Sequence, residues 1–191
     1  NLSVHAAMNN DVNKLKSLYQ SGFPIDKNTT YVAVKFGHMD CVRYLYEIER
    51  LCHDTASLCA AEHGCLEVLE FLHENKILLY DFLIIKTLAK AGHFECLRFL
   101  HEENYEFYET IMRHAAQSGS LKCIQFLHEL GYKFDEITTL IVLDKGDSDC
   151  IKYISMNGCS RSMNVIMTAI ELRRFSYFGY MILGMFLRKN S

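Results

Sequence analysis

A glycine recurs through this chain at an almost fixed interval, and that interval constrains its fold more than any other feature. Gly37, Gly64, Gly92, Gly119 and Gly146 follow one another at steps of 27, 28, 27 and 27 along the sequence. Around them five segments align: KFGHMDCVRYLYE (35–47), EHGCLEVLEFLHE (62–74), KAGHFECLRFLHE (90–102), QSGSLKCIQFLHE (117–129) and DKGDSDCIKYISM (144–156). One step back lands on Asn10, in NNDVNKLKSLYQSG, and Asn is among the residues that tolerate positive φ. One step forward lands on Arg173, inside a weaker seventh copy. Such self-similarity marks a stack of repeated units that bury their apolar faces against their neighbours.

Positions counted from each anchor define the unit. Residues at +2, +5 and +8 are apolar almost throughout, as in Leu66, Leu69 and Leu72 or Phe94, Leu97 and Leu100. Position +7 is aromatic in Tyr44, Phe71, Phe99, Phe126 and Tyr153, while +3, +6 and +10 are mostly charged. Apolar and polar residues separate at helical period, so this is an amphipathic helix B with one solvated face. Upstream lies a helix A with small residues at −4 and −3: Ala6-Ala7, Ala60-Ala61 and Ala115-Ala116. The anchor turns A into B. Gly22, Asn104, Gly131 and Gly158, at +12, suit a left-handed cap. Asp26, Asp54, Asp81, Asp135 and Ser162 are placed to cap the following helix A.

The expected fold is therefore an all-α solenoid of stacked helix-turn-helix repeats. About seven hairpins fit in one repeat domain, 1–191, with units near 1–25, 26–52, 53–80, 81–107, 108–134, 135–161 and 162–191. That makes 13 or 14 helices and no sheet. Half of the 191 residues are apolar and there is a single proline, Pro24, which suits helices. The chain begins at Asn1, not Met, as a fragment or processed form would.

The units AAEHGCLEVLEFLHEN (60–75) and AAQSGSLKCIQFLHELGYKFDE (115–136) resemble ankyrin repeats. They are most similar to the short version of that repeat, common in large DNA viruses and some protists. The Gly37-His38 and Gly92-His93 pairs fit that pattern, as do the loops SGFPID (21–26) and LGYKFD (130–135). Ordinary ankyrin repeats have a longer period and a Thr-Pro-Leu-His helix start. Neither is present, which implies hairpins without the β-hairpin finger. The resemblance implies a protein-interaction module: a scaffold or adaptor, or one subunit of a larger assembly.

Other chemistries find weaker footing. Eight cysteines could suggest disulfides, but Cys41, Cys96, Cys123 and Cys150 all sit at +4, at the repeat spacing. Helix axes about 8–10 Å apart hold such a ladder too far apart to bridge. Free, buried thiols in a reducing cytoplasm are expected, a host cytoplasm if the protein is viral. Cys52, His53, Cys59, His63 and Cys65 are the best metal candidates, yet no Cys-x-x-Cys occurs and no metal or other cofactor is expected. No nucleophile motif or phosphate-binding loop is present, so neither an enzyme nor a small-molecule substrate is expected. The apolar run 175–187 is short for a membrane span. The rival reading is single-stranded RNA binding by helical repeats, which requires a basic, aromatic inner stripe. A net charge of −3 and mixed inner charges favour a protein partner.

Two candidate surfaces follow. On helix A, positions −6 and −2 share a face opposite the small −4 residue. Along the chain this face reads Tyr31/Lys35, Leu58/Glu62, Lys86/Lys90, Arg113/Gln117 and Leu140/Asp144, with Phe36 and His63 beside it at −1. The second is the C-terminal run FSYFGYMILGMFL (175–187), which has lost the charged face of helix B. It either presents Phe178, Met181 and Ile182 to a partner or folds back on the sixth repeat as a cap.

Overall fold

The computed structural model describes residues 1–78 and 82–189, with side chains as far as Met185. Among them are fourteen helices and no strand. In order they are α1 (Leu2–Met8), α2 (Val12–Gln20), α3 (Lys27–Lys35), α4 (Met39–Glu47), α5 (His53–His63), α6 (Leu66–Glu74), α7 (Phe82–Ala91), α8 (Phe94–Glu102), α9 (Ile111–Ser118), α10 (Leu121–Glu129), α11 (Glu136–Lys145), α12 (Ser148–Asn157), α13 (Met163–Glu171) and α14 (Ser176–Lys189). Odd-numbered helices are helix A of a unit and even-numbered ones helix B. The chain divides into two compact units, Asn1–Leu88 and Ala89–Ser191. In the first, α3 packs between α1 and α5, and α4 between α2 and α6. In the second, α11 packs between α9 and α13, and α12 between α10 and α14.

The repeat register is written into the backbone. Asn10, Gly37, Gly64, Gly92, Gly119, Gly146 and Arg173 all have positive φ, from +53° to +79°. So do Gly22, Glu49, Lys76, Asn104, Gly131 and Gly158, which share position +12. These thirteen are every positive-φ residue among those described, so the left-handed region is used only at the two turns of each unit.

Position −4 is buried in all seven copies: Ala6, Ala33, Ala60, Leu88, Ala115, Val142 and Ala169. Ala at this position lets α1, α3 and α5 approach closely; in α11 the place is taken by Val142, packed between α9 and α13. Helix B buries +5 and +8 in the first six copies, from Leu15 and Leu18 to Ile151 and Ile154.

The caps follow the sequence with one correction. Asp26 accepts from the backbone N–H of Asn28 and Thr29, Asp135 from Thr138 and Ser162 from Val165. Asp54 is not a cap: Cys52, two residues earlier, holds the cap position, α5 begins at His53, and Asp54 lies in the first turn. A carboxylate there is still favoured by the N-terminal helix dipole. Asp81 lies outside the described residues.

Candidate functional site

Helix A presents one open stripe in every unit. Position −2 is exposed in all seven copies: Met8, Lys35, Glu62, Lys90, Gln117, Asp144 and Glu171. Position −6 is half-buried in Val4, Tyr31, Leu58, Lys86, Arg113 and Leu140, and exposed in Met167. The 100° helical step explains both facts, because −6 and −2 lie one turn apart and −4 points away from them.

In the first unit these residues converge. The Lys35 ammonium stands 5.8 Å from the ring centres of both Tyr31 and Phe36. Phe36, 51% exposed, stacks on His38 at 5.8 Å. Tyr31 meets His63 of the next repeat edge-on at 5.9 Å, and His63 Nδ1 donates to the Cys59 carbonyl at 3.1 Å. Tyr31, Lys35, Phe36 and His63 thus form a cationic, aromatic-walled patch, with the exposed Glu62 one residue before His63. Lys86 lies farther along α7, its ammonium 5.9 Å from the ring centre of Phe82.

In the second unit the same register is more polar. Lys90 and Asp144 are exposed. Gln117 bonds to His114 Nδ1 at 3.3 Å. Arg113 is held internally: its Nε donates to Asp135 Oδ2 at 2.7 Å. Burial works against the Asp135 charge, but hydrogen bonding from Thr138 and the Arg113 guanidinium outweigh it, holding the carboxyl below its ordinary range. Arg113 therefore fixes the start of α11 as well as facing outward.

Phe178, Met181 and Ile182 belong to a different surface. α14 lies on α12, so the C-terminal run folds back on the sixth repeat. Tyr177 is fully buried and its hydroxyl donates to the Ser160 carbonyl at 2.8 Å. Phe178 and Met181 are half-buried and Ile182 is 51% exposed. The side chains of Phe186 and Leu187 lie outside the described residues.

All eight cysteines are free. Burial pushes the Cys59 thiol up to about 12 and Cys41 to about 11, with neighbouring negative groups adding to both. At neutral pH these are neutral packing groups, not nucleophiles. The Cys59 sulfur lies 3.6 Å from His63 Nδ1, but among the described residues no three His, Cys, Asp or Glu side chains are grouped to hold a metal ion. No described helix is long and apolar enough to cross a membrane.

The sequence reading missed one recurring tie. The +1 side chain reaches back to the −3 carbonyl of the preceding repeat: His38 Nδ1 to Ala7 at 2.8 Å, Cys65 Sγ to Val34 at 3.2 Å and Arg174 Nε to Leu143 at 3.3 Å. The common separation of 31, one repeat plus four, was present in the register. The residue types differ too much to announce it.

Tandem A–turn–B hairpins, a small buried −4 residue and an open −6/−2 stripe define a helical-repeat protein. Residues 3–82 match the family model described as ankyrin repeats (3 copies), and the stacked helical hairpins of the described residues are consistent with ankyrin-like repeats. Among curated proteins none matches it.

Proposed function

We propose that this chain is a protein-binding scaffold or adaptor, or a subunit of a larger assembly, that holds its partner against the helix A stripe. Ankyrin repeats are generally protein–protein interaction modules, and three of them match here. The observation that carries the proposal is the contrast between two positions on one helix. Position −4 is buried and apolar in every copy, with five Ala among seven. Position −2 is exposed in every copy and reads Met, Lys, Glu, Lys, Gln, Asp and Glu. A stripe held open by the fold but free in chemistry suits recognition, and its aromatic members offer rigid contact area. Acidic residues at Glu62, Asp144 and Glu171 interrupt the basic ones, which favours a protein over a single-stranded RNA. Eight free cysteines suit action in a reducing compartment such as the cytoplasm.

The test is affinity capture from the native source with mass spectrometry, using wild type beside two variants. One carries Tyr31→Ala, Lys35→Glu and Phe36→Ala; the other carries Lys86→Glu and Lys90→Glu. Partners captured by wild type and lost by either variant, at unchanged helical content, support the placement. Equal capture by all three refutes it. Arg113 is left intact because it also braces Asp135.

A further inference from the structure

Within the first compact unit, Asn1–Leu88, α3 packs between α1 and α5 and sets three repeats in register. Their −2 side chains are Met8, Lys35 and Glu62, all exposed: one apolar, one cationic and one anionic. One helical turn away, at −6, Val4, Tyr31 and Leu58 are half-buried. The unit therefore offers an apolar floor and, beside it, three side chains of different chemistry at equal steps.

Lys35 is the fixed point of this row. Its ammonium is placed by the Tyr31 and Phe36 rings, each ring centre 5.8 Å away. Among the described residues no carboxylate stands within ion-pair distance of it. An exposed cation already steadied by two rings has less rotamer freedom to lose when a partner carboxylate arrives.

The step along the row decides which backbone can follow it. Packed helices stand about 8–10 Å apart, and the buried alanines Ala6, Ala33 and Ala60 at −4 favour the lower part of that range. A polyproline II chain rises about 3.1 Å per residue and turns once in three, so it returns a side chain to one face every ~9.3 Å. A β-strand does so after about 6.6 Å or about 13 Å, and an α-helix after about 10.5 Å. Of these only polyproline II falls inside the step. Chains of that form also dock on aromatic-walled surfaces, which Tyr31 and Phe36 supply.

We propose that the partner segment held by the first unit is a polyproline II stretch. It sets an apolar residue on Met8, a carboxylate on Lys35 and a cation on Glu62, each three residues after the last. This rests on the helix A stripe being the partner site and names what that site takes. Charge complementarity selects the occupant: the middle residue must be acidic for Lys35, and an acidic residue over Glu62 would be repelled. A chain running in the opposite direction still meets Lys35 with its middle residue, so direction cannot mask the charge order.

The probes are fluorescein-labelled proline-rich peptides, titrated with the full chain and read by anisotropy. One carries a leucine, a glutamate and an arginine at i, i+3 and i+6. The second exchanges the glutamate and the arginine, and the third keeps the first order at i, i+2 and i+4. Wild type is expected to bind the first about tenfold more tightly than either of the others. Lys35→Glu combined with Glu62→Lys is expected to invert the preference between the first two, at unchanged circular dichroism. The wild-type comparison needs no variant, so the proposal can fail even if that exchange perturbs folding. It is overturned by no binding up to ~1 mM, by equal binding of the first two peptides or by a third peptide as tight as the first. A folded exchange variant that keeps the wild-type preference overturns it too. If affinity capture still loses partners with Tyr31→Ala, Lys35→Glu and Phe36→Ala, such a result removes this occupant and leaves the site. If capture is equal as well, the site itself is refuted.

Discussion

His38 reaches back one repeat and bonds to Ala7: its Nδ1–H donates to the Ala7 carbonyl oxygen at 2.8 Å. A carbonyl only accepts, so the bond fixes the proton on Nδ1. The Ala7 oxygen also takes the Asn10 N–H at 3.2 Å, so removing the imidazole leaves it bonded. His38→Ala is therefore expected to cost only about 1 kcal/mol, the net worth of one hydrogen bond. Urea unfolding measures it. A loss within error of zero would mean that the bond adds nothing to stacking.

The thirteen left-handed residues predict a paired set of glycine effects. Glu49 and Lys76 hold φ +52° and +58° at the position that Gly22, Gly131 and Gly158 occupy in other copies. Glu49→Gly and Lys76→Gly should each stabilise by about 0.5–1 kcal/mol, the relief of left-handed strain less the entropy of a freer unfolded chain. Gly37→Ala should do the opposite by about 1 kcal/mol, for backbone reasons alone, since nothing lies within 4 Å of the added Cβ. Thermal unfolding of the three variants checks the signs.

The register carried nearly all of the fold because each unit repeats the same physical requirements. Spacing alone located the seven anchors, and even Asn10 and Arg173 adopt the glycine conformation. The exposed −2 stripe was legible for the same reason: helix geometry sets which side faces out once −4 is known to be small. Cross-repeat chemistry was not legible. The Arg113–Asp135 pair joins two helices through residues whose spacing of 22 belongs to no repeat period. The packing of α14 on α12 includes a close approach at Gly184, and the sequence did not say whose backbone comes near.

The buried thiols make the protein sensitive to alkali. Burial, the largest cause in each case, raises Cys41 to about 11 and Cys59 and Cys150 to about 12, against an ordinary 9.0. A group whose folded pKa is raised contributes stability that is complete below its unfolded value and is lost as pH climbs toward the folded one. The Tm should therefore fall progressively from about pH 9 upward. In parallel, alkylation of the native protein should spare Cys41, Cys59, Cys123 and Cys150, whereas the denatured, unreduced chain should titrate all eight thiols. A native reaction as fast as the denatured one would contradict the packing.

Arg113 should behave as a structural residue even if it also touches a partner. It meets Asp135, whose carboxylate caps α11 through the Thr138 N–H at 2.7 Å. Arg113→Glu sets two carboxylates together at a helix start and should cost about 1–2 kcal/mol. Because the Asp135 pKa is lowered in the fold, this stabilisation is present at neutral pH and lost as pH falls through the folded value. The gap between wild type and Arg113→Glu in urea unfolding should accordingly narrow in acid, and a gap independent of pH would assign the loss to packing instead.

The two glycines of α14 should respond in opposite directions to the same substitution. Both occupy a helix interior, where Gly is worth about 1 kcal/mol less than Ala. Gly179 is exposed and nothing lies within 4 Å of a Cβ built there, so Gly179→Ala should stabilise by most of that amount. Gly184 is buried, and a Cβ there would stand 2.5 Å from the Met156 Cα and 2.7 Å from its carbonyl oxygen. Backbone atoms of α12 cannot swing aside as a side chain tip can, so α14 must lift. Overpacking of this kind costs about 1–3 kcal/mol, more than the helix propensity returns. Lifting α14 would also draw the Tyr177 hydroxyl away from Ser160 and expose a ring that is now fully covered. Gly184→Ala should therefore lower the Tm and raise Tyr177 exposure, seen as a tyrosine absorbance shift, while Gly179→Ala raises the Tm and leaves the spectrum alone. Equal effects from the two would show that α14 does not rest on α12 through Gly184.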